Sequence, residues 1–551
     1  MILRRLYLYL VSAAALVLLA TGLIFLGGTI LLFVFNDPSA DSSRGQLAVF
    51  TAMTVVALPV WAVHFWFARR FALRDPFERA SALRRLYFYW ACLVTSVSAM
   101  VALAFTLSQL LQPPLDSQRL NALTASQLGW ATFVLVVFFA FHFQVASTDR
   151  AAAGEEGASS TLRRWYMYLG LLVGLLVMLG GTQALLQLGW TRLADSSFDK
   201  FTYLSGPAGL ALAGAVMWAF HARAIAVNHA AEDRHSTLRA LQGFIAVAIS
   251  ITTALFGASQ ILYYVLARVL GVSNPGNAGD NVAVAAAGPG SFLLIYGVAW
   301  FLIQRRLTRD AGTQEADRQA GVRRLYTNLT ALVSLAVWAI GAGGLLWTLA
   351  KQAEAPIIAV PAHDWKDSVS LWVTLLIVGA AVWLAHWRQD PWAADRQSLS
   401  RKLYVWAALL GSILVVLGAG VGMINALLQQ VFSSHPTLNA QQNLDFGHYL
   451  AVIVVAAGIG IYHWRVLRGD AASRPPRAAA APMTARAASV AATHSVAEAP
   501  APTPEAVGPH ARHYTLVVTD ATDDDVHQAL AALPPQASYK LTHAEQTVDG
   551  R

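Results

Sequence analysis

Long apolar runs separated by short polar loops fill the chain from its first residues to about residue 468. A helix needs about 20 apolar residues to cross a bilayer core, and each run reaches that length. Because open strands cannot satisfy their backbone groups in lipid, the runs predict helices. Twelve transmembrane helices are predicted, with approximate limits 6–35, 47–67, 86–111, 127–145, 165–190, 203–222, 241–269, 281–303, 325–350, 369–387, 403–432 and 446–464.

Every second run opens with a basic pair followed by aromatic residues, as in the segment Arg4-Arg5-Leu6-Tyr7-Leu8-Tyr9. The motif returns about every 80 residues, and a degenerate copy, Leu238-Arg239-Ala240-Leu241, fills the fourth place. The complete copies begin with the pairs Arg4 and Arg5, Arg84 and Arg85, Arg163 and Arg164, Arg323 and Arg324, and Arg401 and Lys402. Repetition at a nearly fixed period indicates tandem structural units.

The second run of each copy closes with an aromatic residue and a histidine, as in the segment from Pro59 through Trp61 to His64. The closing histidines are His64, His142, His221, His386 and His463. The fourth copy keeps Trp300 but has Ile303 in the histidine position. Two runs per copy predict six helical hairpins, at about 1–78, 79–155, 156–232, 233–315, 316–395 and 396–468.

Lysine and arginine are distributed unevenly between the two ends of the hairpins. The side with the N-terminus and the linkers between copies carries about four times as many of them as the opposite side. This bias predicts that both termini are cytoplasmic. Each hairpin then enters and leaves on one face, so the predicted fold is an all-α membrane domain of six parallel-oriented hairpin repeats, residues 1–468.

The composition changes after residue 468. Residues 469–512 are rich in Ala and Pro and predict a disordered linker. Residues 513–551 alternate like a strand, then form one helical face, then alternate again, which predicts a small cytoplasmic β-α-β-like segment. About forty residues are too few for an independent core, so we expect this tail to use a protein partner or to self-associate.

The whole-chain composition excludes an ordinary soluble protein, since 56% of the residues are apolar and only 13% are charged. The net charge of +8 comes from basic residues in short loops beside apolar runs. Such residues contact anionic lipid headgroups, so membrane lipids are the expected partner and nucleic acid is not. The single cysteine, Cys92, lies within an apolar run, which excludes an intramolecular disulfide.

The Arg-Arg-Leu-Tyr-x-Tyr opening and the Pro-x-Trp-x-x-His closing together resemble a bacterial family of membrane hairpins that is known only as a domain of unknown function. The resemblance covers about residues 1–467; it is strongest in copies one, five and six and weakest in copy four. It implies a multi-pass protein of the bacterial cytoplasmic membrane. It implies no activity.

The five closing histidines are the first candidates for chemistry, because neutral imidazole can bind haem iron and transition metals. The competing interpretation is an interfacial belt, in which amphipathic rings lie at the membrane boundary among Trp, Phe and Arg. We expect the belt, and no cofactor or metal; haem b is the alternative. A third interpretation is a shared polar or lipid site.

Polar residues inside the apolar runs are the second candidates. They recur near the outer ends of the odd-numbered helices, at Thr29, Gln109, Gln187, Thr348 and Asn425. They could line an outward vestibule, although hydrogen bonding between helices is the favoured interpretation. The basic pairs could bind lipid headgroups or act only as topology anchors. Paired glycines, such as Gly170 with Gly174 and Gly341 with Gly344, predict close helix packing.

No residue constellation fixes an activity. The predicted spans contain no Asp, Glu or Lys and only Arg268 near an outer end, which disfavours ion-coupled transport. Phosphate-binding loops, zinc motifs and nucleophile elbows are absent from the sequence, so we expect no enzyme activity. The leading hypothesis is a non-enzymatic scaffold or sensor-like membrane module. The alternatives are a facilitative transporter or channel-like protein for a neutral or lipidic solute, and a haem-binding electron-transfer protein.

Overall fold

A computed structural model gives the fold of most of the chain. It describes residues 2–195, 203–229, 233, 236–277, 279, 281–311, 317–354, 365–387, 396, 398–432 and 440–472. Residues 1–468 form one compact unit. The predicted C-terminal linker beyond residue 472 and the predicted β-α-β-like segment lie outside the described residues.

Twelve long helices account for nearly all of these residues, and the described ranges contain no strand. The helices are α1 Ile2–Val34, α2 Arg44–Arg74, α3 Ala82–Asp116, α4 Ala122–Ala153, α5 Ala158–Ala194, α6 Ser205–Asn228, α7 Thr237–Val269, α8 Val282–Ala311, α9 Asp317–Glu354, α10 Trp365–His386, α11 Leu399–Phe432 and α12 Ala440–Ala472. By length and composition each is able to cross a membrane. The twelve predicted helices are therefore confirmed as long apolar helices.

Local sequence explains where several helices begin. Asp75 accepts a hydrogen bond from the backbone N–H of Phe77 at 2.9 Å, and Pro76 occupies the first position of the one-turn helix Pro76–Arg79. An acceptor at the N-cap and a proline after it are standard helix-start chemistry. In the same way, Asn121 accepts from the backbone of Thr124 at 3.0 Å and starts α4.

The packing of the helices repeats along the chain. Each odd helix from α1 to α9 packs on the even helix that follows it, and each odd helix from α1 to α7 also packs on the even helix of the next pair. Consecutive odd helices touch from α1 to α11. The same three kinds of contact therefore recur from one pair to the next.

Glycines allow two helices of the third pair to approach at backbone distance. A Cβ atom added to Gly181 of α5 would lie 2.4 Å from the backbone nitrogen of Ala211, and one added to Gly214 of α6 would lie 2.4 Å from that of Met178. Gly174, one of the paired glycines, similarly meets the backbone of Trp218. The close packing expected from these glycines is thus present between α5 and α6.

An aromatic contact between neighbouring odd helices fixes their register. The second tyrosine of one opening motif packs on the first tyrosine of the next, with ring centroids 5.6 Å apart for Tyr9 and Tyr87 and 5.7 Å apart for Tyr89 and Tyr166. Phe244 and Tyr326 repeat the contact at 5.8 Å. Phe244 stands five residues after Arg239, so Arg239 takes the place of the first basic residue and Gln242 that of the first tyrosine.

Candidate functional site

Charged side chains are buried at the ends of the helices that carry the opening motifs. Arg84, at the start of α3, donates from Nε to Asp149 Oδ2 at 2.7 Å, and these side chains are only 2% and 7% exposed. Its Nη1 also donates to the hydroxyl of Tyr9 and to the carbonyl of Ala68, both at 3.3 Å. Because Asp149 lies near the end of α4, this ion pair joins the two helices of the second repeat.

The first and third repeats use the same arrangement. Arg5 donates from Nε to Glu78 at 2.8 Å, and Arg4 pairs with the other oxygen of that carboxylate. Arg163 donates two hydrogen bonds to Asp233, both at 3.1 Å. In each of the first three repeats, a basic residue of the opening motif thus pairs with an acid that follows or ends the closing helix.

Glu155, in the loop between α4 and α5, connects two repeats. Its Oε2 lies 2.8 Å from Nε of Arg163, and its Oε1 lies 3.8 Å from Nη1 of Arg85 and accepts a hydrogen bond from the hydroxyl of Tyr89. Arg85 further donates to the backbone carbonyls of Ala146 and Gly154. We call the ion pairs that these arginines make with Glu78, Asp149, Glu155 and Asp233 the arginine–carboxylate network.

Asp233 is fully buried and receives the largest number of donors in the network. Arg163 and Arg164 donate to it, and the hydroxyl of Tyr168 donates to Oδ2 at 3.1 Å. Burial works to raise the pKa of Asp233, but the hydrogen bonds and positive charges of the two arginines outweigh it and hold the pKa below its ordinary value. This carboxylate is therefore charged at neutral pH.

The lowered pKa of Asp233 predicts a loss of stability in acid. Because the folded-state pKa lies below the unfolded-state value of about 3.9, the ion pairs of Asp233 stabilise the fold fully above about pH 5. The contribution is lost as the pH falls below about 4 and through the folded-state pKa. We expect thermal unfolding in detergent to show a steeper acid loss for the unchanged chain than for Asp233→Asn; equal slopes would contradict this role.

A tyrosine of the opening motif and a histidine of the closing motif are in contact in the second and sixth repeats. His142 Nε2 lies 3.2 Å from the hydroxyl of Tyr87, and His463 Nε2 lies 3.0 Å from that of Tyr404. In both histidines, Nδ1 is within 2.8 Å of the carbonyl four residues earlier in its own helix. Both ring nitrogens of these buried histidines thus have hydrogen-bond partners.

The other complete repeats place the same two residues together. His64 Nε2 lies 3.2 Å from the hydroxyl of Tyr7. The ring centroids of Tyr166 and His221 are 5.4 Å apart, and those of Tyr326 and His386 are 5.9 Å apart. The recurrent tyrosine and the recurrent histidine are therefore contact partners in all five complete repeats.

A tryptophan of the preceding repeat joins two of these pairs. Trp61 Nε1 donates to the hydroxyl of Tyr87 at 3.2 Å, and Trp383 Nε1 donates to that of Tyr404 at 2.9 Å. In the third repeat the hydroxyl of Tyr166 is buried and has no hydrogen-bond partner among the described residues. The tyrosines of the motif thus differ in how many hydrogen bonds they make.

This difference gives a matched pair of substitutions. Tyr87→Phe removes a hydroxyl that serves both Trp61 and His142, so we expect the free energy of unfolding to fall by about 1–2 kcal/mol. Tyr166→Phe removes a hydroxyl without such partners and should change stability by less than about 0.5 kcal/mol. Equilibrium unfolding of both variants in mixed micelles measures the two values, and equal losses would show that the hydrogen bonds contribute nothing.

The fourth repeat lacks the pair and contains a cavity instead. Gln242 and Ile303 stand at the tyrosine and histidine positions, and both line a cavity of about 490 Å³ between α5, α7 and α8. The remaining walls are mostly aliphatic, with Arg239 and Arg306 at one end. The repeat that lacks the tyrosine and the histidine thus has a cavity beside the positions of these two residues.

The five predicted site histidines differ in how deeply they are buried. His142, His221 and His463 are buried against tyrosines, and His64 and His386 are half-buried. Each contact between a motif histidine and a motif tyrosine is made within one repeat. Among the described residues, no group of three or more His, Cys, Asp or Glu is arranged to hold a metal ion.

The basic pairs divide by burial. Arg84, Arg85 and Arg163 are at most 1% exposed, and their guanidinium groups lie beside carboxylates. Arg401 is also buried and lies over the ring of Trp387. The half-buried or exposed members, for which headgroup contact stays a prediction, are Arg4, Arg5, Arg164, Arg323, Arg324 and Lys402.

The predicted vestibule residues do not bond to one another. Thr29 and Thr348 each donate to the carbonyl four residues earlier in their own helices. Gln187 accepts from Gln183, which donates in turn to Ser291 of α8 at 2.9 Å. Gln109 is half-buried and Asn425 is exposed. Interhelical hydrogen bonding is thus present near Gln187, through its neighbour.

Twelve apolar helices with a recurrent packing pattern fit the class of multi-pass membrane proteins with internal repeats. A family model described as a domain of unknown function (DUF5671) matches residues 5–136, 120–216 and 324–458, which together make up more than half of the chain. The chain belongs to this family, and the resemblance seen in the motifs is confirmed. The matched segments leave out the degenerate fourth repeat. No curated protein and no solved structure matches the chain.

Proposed function

We propose that the chain is a non-enzymatic framework of the bacterial cytoplasmic membrane, built from six hairpins of one orientation with both termini in the cytoplasm. The observation that carries the proposal is that buried charged groups near the opening motifs of the first three repeats bind one another. Asp149, Glu155 and Asp233 pair with arginines, and the motif histidines pack against tyrosines. These groups hold repeats together and leave little chemistry for a substrate.

The recurrent contacts support a fixed arrangement. The aromatic contact between successive opening motifs keeps one register, and Glu155 ties the second repeat to the third. Buried ion pairs are costly to break, because each separated charge stays desolvated. A framework of this kind holds partner proteins or a sensing segment at defined positions, and the C-terminal tail is the segment we propose for that contact.

A reconstitution experiment separates the framework from a facilitator. Liposomes containing the purified full chain are tested for glycerol permeation and for exchange of a fluorescent phospholipid between leaflets. The framework predicts rates equal to those of protein-free liposomes. Rates above this background that fall when Gln109, Gln187 and Asn425 are replaced by Leu would contradict it and favour the facilitative alternative.

A haem-binding function would require the histidines to exchange their present partners. For His142 and His463 this means giving up the hydroxyls of Tyr87 and Tyr404 at Nε2, or a backbone carbonyl at Nδ1. We expect the purified protein to show no Soret absorption band. A Soret band that disappears in His142→Ala would support electron transfer over the framework.

A further inference from the structure

A cavity of about 450 Å³ lies between α9, α11 and α12. In the four preceding places, the odd helix of one repeat packs directly on the even helix of the next. Helices α9 and α12 stand in the fifth such place, and residues of both line the cavity. The cavity therefore lies where the repeat pattern predicts direct packing of α9 on α12.

The cavity is long and its walls are almost entirely apolar. Its lining on α9 runs along one face from Leu332 to Trp347, which is about 22 Å of helix at 1.5 Å per residue. Gly343 and Gly411 face it from two helices, and a Cβ atom added at either glycine meets no atom within 4 Å. These dimensions suit one extended hydrocarbon chain, since ligand sites of this size are typically apolar with few polar groups.

Polar groups are concentrated at one end of the cavity. Trp347 Nε1 and His448 Nδ1 are buried and have no hydrogen-bond partner among the described residues. The two rings touch, with centroids 4.6 Å apart. The ammonium group of Lys351 lies 3.7 Å from the centroid of the Trp347 ring and adds a positive charge at this end. Ser412, the one hydroxyl residue of the lining, donates to the carbonyl of Leu409, and Trp372 of α10 also lines the cavity.

We propose that this cavity binds one long-chain fatty carboxylate. The hydrocarbon chain lies along α9, and the carboxylate accepts hydrogen bonds from Trp347 Nε1 and from His448 in its Nδ1–H tautomer. Lys351 stabilises the negative charge. The carboxylate gives both buried nitrogens a partner, which a hydrocarbon alone cannot do. This binding role goes further than the framework function and is tested separately from it.

Binding of radiolabelled palmitate to the full chain in nanodiscs of neutral phospholipid tests the proposal. We expect saturable binding, at least tenfold weaker for Gly411→Leu because the added side chain fills the cavity. Gly458→Leu, on an exposed face of α12 where a Cβ also meets open space, is the matched control and should bind like the unchanged chain. Trp347→Phe keeps the ring, removes the N–H and should weaken binding about fivefold.

Three results would overturn the proposal. The first is no saturable binding of palmitate. The second is equal weakening by Gly411→Leu and Gly458→Leu, which would place the palmitate elsewhere. The third is displacement of palmitate by hexadecanol or by a lysophospholipid at the same concentration as unlabelled palmitate, since a neutral or phosphate head would then serve as well as a carboxylate. None of these results depends on the liposome permeation rates that test the framework.

Discussion

Replacing Asp149 by Asn should lower the free energy of unfolding by about 3–5 kcal/mol. The substitution leaves the guanidinium group of Arg84 buried without its anion, because that side chain is 2% exposed and its other partners are neutral oxygens. Loss of one member of a buried ion pair costs far more than the net value of the pair, since the remaining charge stays desolvated. Unfolding of the purified variant in mixed micelles measures the effect.

An exposed ion pair provides the matched control. Asp41 pairs with Arg44 at 2.8 Å, but both side chains are more than 70% exposed, so Asp41→Asn should cost less than about 1 kcal/mol. The double variant Arg84→Met with Asp149→Leu replaces both buried charges and should recover most of the stability lost in Asp149→Asn. Equal effects of Asp149→Asn and Asp41→Asn, or no recovery in the double variant, would contradict the proposed role of the buried pair.

Replacing Gly181 by Ala should destabilise the fold by about 2–3 kcal/mol, the upper part of the range for overpacking. The added methyl group would lie 2.4 Å from the backbone nitrogen of Ala211 and 2.8 Å from the carbonyl oxygen of Pro207. Backbone atoms cannot rotate away as a side chain can, so α5 and α6 must separate. Unfolding measurements, together with cross-linking between the two helices, detect both consequences.

Gly189 lies on the same helix and serves as the control. A Cβ atom there meets no atom within 4 Å, so Gly189→Ala should be neutral or should stabilise the helix by up to about 1 kcal/mol through its better helix propensity. A stable Gly181→Ala variant with unchanged cross-linking would show that α5 and α6 are less tightly packed than the structure indicates.

The helices were predictable from the sequence because membrane spans depend on one strong signal, the length of an apolar run. The odd helices begin before their predicted spans, because the sequence interpretation began each of these spans after the basic pair. Helix α3 begins at Ala82, before the basic pair, since Ser81 caps it by accepting from the backbone N–H of Arg84. The alignment of the fourth repeat was also predictable, since Arg239 continues the spacing of the first basic residues, and the contact of Phe244 with Tyr326 agrees with it.

The acids of the network could not be found by searching for repeats. Glu78, Asp149 and Asp233 follow the closing histidines of their repeats at different distances, because each reaches its arginine from a different loop or helix end. The burial of the arginines could not be predicted from the sequence either. An arginine beside an apolar run reads as a topology signal, and only the packed structure shows that Arg84 and Arg163 point into the protein. The contact between motif tyrosines and motif histidines was predictable from the sequence, because the fourth repeat lacks both residues together.

The orientation of the hairpins is tested most directly by labelling single cysteines from outside intact spheroplasts. Cys92 is fully buried and is replaced by Ala, after which a cysteine is placed at Ser42, Arg119 or Ser273 in loops within hairpins, or at Ala80 or Glu156 in loops between them. Six hairpins of one orientation predict that a membrane-impermeant maleimide labels the first three positions in intact spheroplasts and the last two only after permeabilisation. Labelling of Ala80→Cys or Glu156→Cys in intact spheroplasts would contradict the common orientation.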